Sequence, residues 1–398
     1  MESKIQMDGL MPAGRSEGTR LGAAGTFALL AAHCAGMVDL VALPVWVGTL
    51  IGSYHLDPQQ AGALVTLFLA GAVASSVYSA PRLNRLRARV ATSVGFGLAA
   101  LAFLGMAVFG GNYSAMACLH AMAGLAVGCG LSVTHGTVGR SRNPHRLFAS
   151  AGLALGCFAI AFLGVTPGLV AQHGGPVLFK VFAGVMAVAA VLSALAFPVA
   201  PSVHQGVSTA EPRFARSVWS GMLGVGCMAF TQAMVFSFVE RVGVDRGFGL
   251  AAITSVLIAL GLINLLPAPL AGLLELRVSA RRVVLAGPLV QAVLALIIAR
   301  SATFVPYAAA SAVFPAVMIF THTFAFGVLA RMDKTGRAVA ATPAMLMTGA
   351  AIGPIVGGTL VKFLGYESLG MAAVLTAAAA IVCFSRLERR PCAAGAAV

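Results

Sequence analysis

The chain has 398 residues, of which 59% are hydrophobic and 10% charged, with a net charge of +14 and a mean hydropathy of +0.93. A soluble domain carries about 25% charged residues, so this composition excludes a soluble protein and reads as an integral membrane protein. The basic balance would suggest nucleic acid in a soluble chain; here it reads as basic loops on the cytoplasmic face, and no nucleic-acid partner is expected.

Residues 1–21 are polar and mixed in charge, as expected of a cytoplasmic tail. The apolar run behind them exceeds a signal-peptide core and shows no clear cleavage site, so it is expected to be retained. A bilayer core takes roughly 20 apolar residues per helix. Polar or basic breaks leave twelve such runs, at 22–52, 59–80, 90–110, 114–138, 147–171, 177–199, 217–241, 248–275, 283–300, 303–330, 338–362 and 367–385. Their continuity excludes the alternation of a barrel. Pro44 in the first, and Pro267 and Pro269 in the eighth, predict kinks.

The segment 201–216, "PSVHQGVSTAEPRFAR", is the longest polar stretch between spans. It predicts two six-helix bundles, 22–199 and 217–385, joined by a linker at 200–216 and followed by a tail at 386–398. Of the 26 Lys and Arg residues, 21 fall on one set of loops and 5 on the other. That alternation places both termini in the cytoplasm.

The first run holds an intramembrane charge, Asp39, within "CAGMVDLVALPVW". A central Asp is unfavourable by roughly 2.5–3.5 kcal/mol, so such a residue generally faces a cavity or a partner. One reading is a carboxyl group that takes a proton on one face and releases it on the other, or recognises a charged substrate. The other is a hydrogen bond that orients the first helix. His120 is a candidate to relay that proton, or a buried histidine bonded to a carbonyl. His322, in "FTHTF", and Gln232 and Asn264 are candidate cavity residues; local or interhelical hydrogen bonds are the alternative. Gln232 stands near the counterpart of Asp39, offset by about 192 residues. Glu240 and Arg241 end the seventh run and read as a gate or, more simply, as interfacial charges. His135 reads as solvated, and His33 as too far round the helix to share the Asp39 face. The seven cysteines show no ligand spacing and read as small buried residues. No metal or cofactor is expected.

The halves echo each other. "NRLRARV" follows the second run and "LRVSARRV" the eighth, with Arg85 and Arg89 matching Arg277 and Arg281 at a spacing of 192. "HAMAGLAVG" holds Gly124 and Gly128 after His120; "GAAIGPIVGG" holds Gly349, Gly353, Pro354, Gly357 and Gly358. On these motifs the chain resembles the major facilitator superfamily along nearly its whole length. That family has a Gly-x-x-x-Asp-Arg-x-Gly-Arg-Arg motif after helix 2, onto which Asn84, Arg85 and Arg89 fall, with Asn84 in place of the acid. It has Arg-x-x-x-Gly-x-x-x-Gly in helix 4, with His120 here at the arginine. Its exporters carry Gly-x-x-x-Gly-Pro-x-x-Gly-Gly in helix 5; here the match lies in the eleventh run.

The resemblance implies two bundles rocking about a central site, in a bacterial-type inner membrane. No GxxxxGK[ST] occurs, so the expected drive is a proton gradient read through Asp39. The absence of a deep Lys or Arg favours a neutral, amphipathic or cationic small organic molecule. Proton-coupled efflux by a monomer is the leading expectation. Proton-coupled uptake and a non-transporting sensor or assembly factor are the alternatives, and an enzyme is not expected.

Overall fold

The computed structural model describes residues 22–198, 215–332 and 337–387. Residues 1–21, 199–214, 333–336 and 388–398 lie outside the described residues, and with them Lys4, Arg15, Arg20, Arg213, Lys334, Arg389 and Arg390 of the basic count. Among the described residues twelve helices are long and apolar enough to cross a membrane: α1 Ala23–Gly52, α2 Pro58–Arg82, α3 Ala88–Phe109, α4 Tyr113–Gly139, α5 Arg146–His173, α6 Pro176–Ala196, α7 Arg216–Asp245, α8 Leu250–Leu274, α9 Ala280–Arg300, α10 Phe304–Met332, α11 Met345–Leu364 and α12 Glu367–Ser385. No strand occurs among the described residues.

Local chemistry sets the helix ends. Asp57 and Gln60 form a reciprocal capping box around Pro58 at the start of α2. Asn112 accepts the Ala115 N–H and caps α4. Gly174 and Gly365, at φ +80° and +78°, end α5 and α11 at positive φ, where glycine is favoured.

Three spans are broken. α1 divides at Met37 into Ala23–Gly36 and Val38–Gly52. Pro44 lies inside the second segment, so the interruption is not at the proline expected to make it. Gly36 is the weak point instead, because Leu131 of α4 presses into the space a side chain would fill. α8 divides before Pro267, as its prolines predict, into Leu250–Ile263 and Pro267–Leu274. α7 divides at Ser237 and Phe238, which no proline announces. The Ser237 hydroxyl donates back to the Ala233 carbonyl, and the Tyr307 hydroxyl donates to the Val239 carbonyl at 2.7 Å.

The packing is duplicated. In the first half α1 packs on α4, α5 and α6, α2 on α4, and α3 on α4 and α6. Adding six to each label gives the second half: α7 on α10, α11 and α12, α8 on α10, and α9 on α10 and α12. Three contacts cross between halves: α2 with α11, α5 with α8, and α1 with α7. Exchanging the halves converts the first into the second and leaves the third unchanged, so a pseudo-twofold axis runs between α1 and α7.

Each half has its own filling. Trp46, Phe68, Phe103, Phe179 and Phe182 form a buried aromatic core in the first. Cys118 and Cys157 are exposed on the bundle surface, not buried as their apolar runs suggested. Lipid, and not only protein interior, satisfies such runs.

Candidate functional site

The arginine pair repeated in the two halves has one structural use. Arg89 Nε and Nη2 donate to the Phe197 carbonyl at 3.3 and 3.2 Å, just past the end of α6. Arg281 Nη1 donates to the Leu387 carbonyl at 3.1 Å, just past the end of α12. Each therefore fastens the third helix of its half to the sixth and satisfies a carbonyl beyond a helix terminus. Asn84, Arg85 and Arg277 lie on the exposed connections before α3 and α9.

The glycines bring backbones together. A Cβ on Gly124 or Gly128 would overlap the Phe68 or Ala72 carbonyl oxygen, so α4 lies directly on α2. The α11 motif has two faces. Gly349, Gly353 and Gly357 lie against Gly226, Ala233 and Met234 of α7, inside the second half. Pro354 and Gly358 lie against Gly62 and Pro58 of α2, across the seam between halves.

That seam is sealed at the end remote from the arginines. The Ile355 N–H donates to the Thr66 hydroxyl at 3.2 Å. Lys362 Nζ bonds Asp57 Oδ2 at 3.0 Å and Gln59 Oε1 at 3.2 Å. Burial alone would raise the Asp57 carboxyl, but the Gln60 N–H and the Lys362 ammonium outweigh it and hold it below the usual carboxylate range. From Pro58 to Thr66 the seal runs about 12 Å along α2.

The carboxylate on the axis is Glu240. Its Oε2 is buried without a hydrogen-bond partner and fills the space over Gly48 of α1. Arg241 turns instead to Asp245 at 2.6 Å. Glu240 thus meets α1 across the seam and is partly buried, not the exposed interfacial charge its position suggested. Its sequence position near the end of α7 does not reveal this; the small residue Gly48 opposite is the only trace.

Asp39 is the seventeenth of the thirty residues of α1, close to its midpoint. It is 7% exposed and stands in the first turn after the break at Met37. The Leu40 N–H bridges the break by donating to the Met37 carbonyl at 3.2 Å. Gln232 is the seventeenth of the thirty residues of α7 and therefore at the same level across the axis. Asn264 and His322 also lie within about four residues of the midpoints of α8 and α10, roughly 6 Å or less from that level.

Their partners differ. Gln232 Oε1 accepts from Gln291 Nε2 at 3.3 Å, an interhelical bond within the second half. Asn264 caps the first segment of α8, and its Oδ1 is buried without a partner. His322 Nδ1 bonds the Met318 carbonyl at 2.9 Å, while Thr321 and Thr323 bond carbonyls one turn back.

His120 is elsewhere. Its Nδ1 bonds the Met116 carbonyl at 2.7 Å and its ring stacks on Trp46 at 5.5 Å. Trp46 is two turns beyond Asp39, about 10 Å along the helix. The structure therefore does not join His120 to Asp39. The imidazoles that lie between Asp39 and the basic end are His33 and His135, with Nδ1 and Nε2 3.0 Å apart. His135 is partly buried and not fully solvated as its position suggested, because His33 of α1 and the Phe148 ring pack against it.

Polar side chains thus stand at about one level in α1, α7, α8 and α10. The sequence profile described as Major Facilitator Superfamily matches residues 28–329. The chain belongs to the major facilitator superfamily. Among solved structures it is similar to the crystal structure of nucleoside transporter NupG, with a TM-score of 0.73 at 13% identity, covering 92% of this chain and 99% of that one. A mutant of NupG gives a TM-score of 0.71 at 14% identity, covering 92% and 100%. At this identity the likeness shows the fold alone. No curated protein matches the chain. Fold and family make it a multi-pass membrane protein of the transporter class.

Proposed function

We propose that this major facilitator protein is a proton-coupled secondary transporter that exports a small neutral or cationic organic molecule from the cytoplasm. The observation that carries the reading is Asp39, a carboxylate at mid-span beside a helix break, on the helix that packs across the axis. A group so placed is costly to keep charged and gains from exchanging its proton as access alternates. His33 and His135, one donating to the other at 3.0 Å, supply a step between Asp39 and the arginine-rich end.

Substrate charge follows from what lines the middle of the spans. Among the described residues the central turns hold carboxyl, amide and imidazole groups and no Lys or Arg. A polyanion would meet no cation there. Export remains the preferred direction on the glycine motif of 349–358, whose close packing on α7 and α2 suits a helix that transmits rocking. With the arginine-rich loops in the cytoplasm, the sealed end faces outward, and the described state is closed to the outside.

The purified chain in proteoliposomes, driven by an imposed pH gradient against a panel of amphipathic cations and neutral metabolites, tests the reading. Nucleosides belong in that panel because NupG, which shares the fold, is a nucleoside transporter. Gradient-dependent movement of one class that is lost in Asp39→Asn supports the proposal. Movement that ignores the gradient overturns proton coupling, and the sidedness of active transport decides between export and uptake.

A further inference from the structure

The outer wall of α3 and α4 carries a feature that the transport path does not use. Small residues, Gly95 and Ala126 among them, let the two helices meet, and a Cβ on Gly95 would lie 2.8 Å from the Ala126 carbonyl oxygen. Larger side chains stand up on either side: Val94, Leu98 and Leu101 on α3, Met122 and Leu125 on α4, all exposed. Between them runs an apolar groove of about 1030 Å³. From Val90 to Leu101 it is about 16 Å long at 1.5 Å per residue. One leaflet of a bilayer core is about 15 Å deep.

The groove ends on charge. Arg85 and Arg87 line its basic end. There it runs into a second hollow of about 400 Å³, with which it shares Leu86, Arg87 and Val90, and which adds Arg89 and Arg140. No acidic side chain lines either space. An apolar channel one leaflet long that opens onto guanidinium groups is complementary to a molecule with an acyl chain and a phosphate. A free phosphate leaves the channel empty, and a neutral fatty chain leaves the arginines unanswered.

We infer that the α3–α4 groove binds one anionic glycerophospholipid of the surrounding bilayer, with its phosphate at Arg85 and Arg87 and an acyl chain lying along α3. Guanidinium groups match phosphate oxygens in paired hydrogen bonds. The site lies at the end where positive charge concentrates, which is the end facing the more anionic leaflet when those loops are cytoplasmic. A lipid seated there touches α3, which Arg89 fastens to the end of α6, and so holds the outer wall of the first half.

Native mass spectrometry of the full detergent-purified chain, titrated with phosphatidylglycerol or with phosphatidylcholine of the same chains, tests this. One equivalent of phosphatidylglycerol is retained in preference to phosphatidylcholine. Arg85→Gln with Arg87→Gln weakens it about 30-fold, at about 1 kcal/mol per arginine. Arg216→Gln with Arg386→Gln, which removes the same charge elsewhere, leaves it unchanged. Equal retention of both lipids, or equal loss in both double variants, overturns the proposal. Inorganic phosphate at the same concentration leaves the lipid bound; displacement by it counts against a chain-filled groove. In nanodiscs, the added fluorescence of Leu98→Trp is quenched more by phosphatidylglycerol brominated on its acyl chain than by the phosphatidylcholine equivalent, and equal quenching overturns the acyl placement.

Discussion

Asp39 and Glu240 are both intramembrane acids, but their surroundings differ. The Asp39 carboxyl group sits in the first turn after a helix break, near the middle of α1. Replacing it with Asn keeps the shape and removes the proton. Asp39→Asn should reach the membrane in normal amount and keep substrate counterflow, while pH-driven transport falls at least about 100-fold; unchanged driven transport rejects the carrier role. Glu240 has one buried oxygen without a partner and a glycine beneath it. Gly48→Ala should destabilise the closed seam, and Glu240→Ala should relieve much of that cost. A coupling of about 1–3 kcal/mol is expected from thermal unfolding of the double-mutant cycle, and additive effects would show that the two do not bear on each other. The mid-span position of Asp39 was legible because it is the one charge inside its apolar run. Glu240 was not, because a charge near a span end looks the same in sequence whether it meets headgroups or a neighbouring helix.

Among the helices, α11 shows how one motif serves two contacts. Gly353 faces α7 in its own half, whereas Gly358 faces α2 in the other. A leucine at either position needs several ångströms of space, but the consequences differ. Gly353→Leu should lower the melting temperature without favouring either access state. Gly358→Leu should push the sealed end apart and expose a cysteine placed at Thr66 to an impermeant maleimide by about 10-fold or more. Equal labelling in both variants would show that the two faces are not independent. The glycines themselves could be read from the sequence, but the division of labour could not. Spacing by four marks a close-packed ridge without saying which helix fills the groove. The break in α7 was hidden for a related reason: Ser237 and Phe238 are ordinary in an apolar run, and the Tyr307 hydroxyl that stabilises the gap comes from α10.

Over the whole molecule, the state is set by few groups at the sealed end. Asp57 and Lys362 are each about one-third exposed, with side chains at 33% and 34%. A pair of this kind contributes no more than about 1 kcal/mol, so Lys362→Gln should shift the access equilibrium by about fivefold or less. The Asp57 carboxyl is held below its ordinary value. Its contribution is therefore complete above about pH 4, the unfolded value, and fades only as pH falls through the lowered one. Any change in access state between pH 5 and pH 8 must then come from other groups. Asp57→Asn should leave the pH dependence in that range intact, as spin-label distances across the seam would report; its disappearance would transfer the sensor to Asp57. The twelve spans and their duplication were legible because lipid leaves the chain little choice but continuous apolar helices. Which ends meet across the axis was not, since that depends on residues hundreds of positions apart.

The repeated arginine fastening has a practical corollary. Arg89 reaches Phe197 and Arg281 reaches Leu387, so each bundle shuts its own ring of helices without help from the other. A gene cut between codons 198 and 215 should yield two polypeptides that insert separately, assemble in the bilayer and co-purify through a tag on one of them. Covalent continuity would then be a convenience of synthesis.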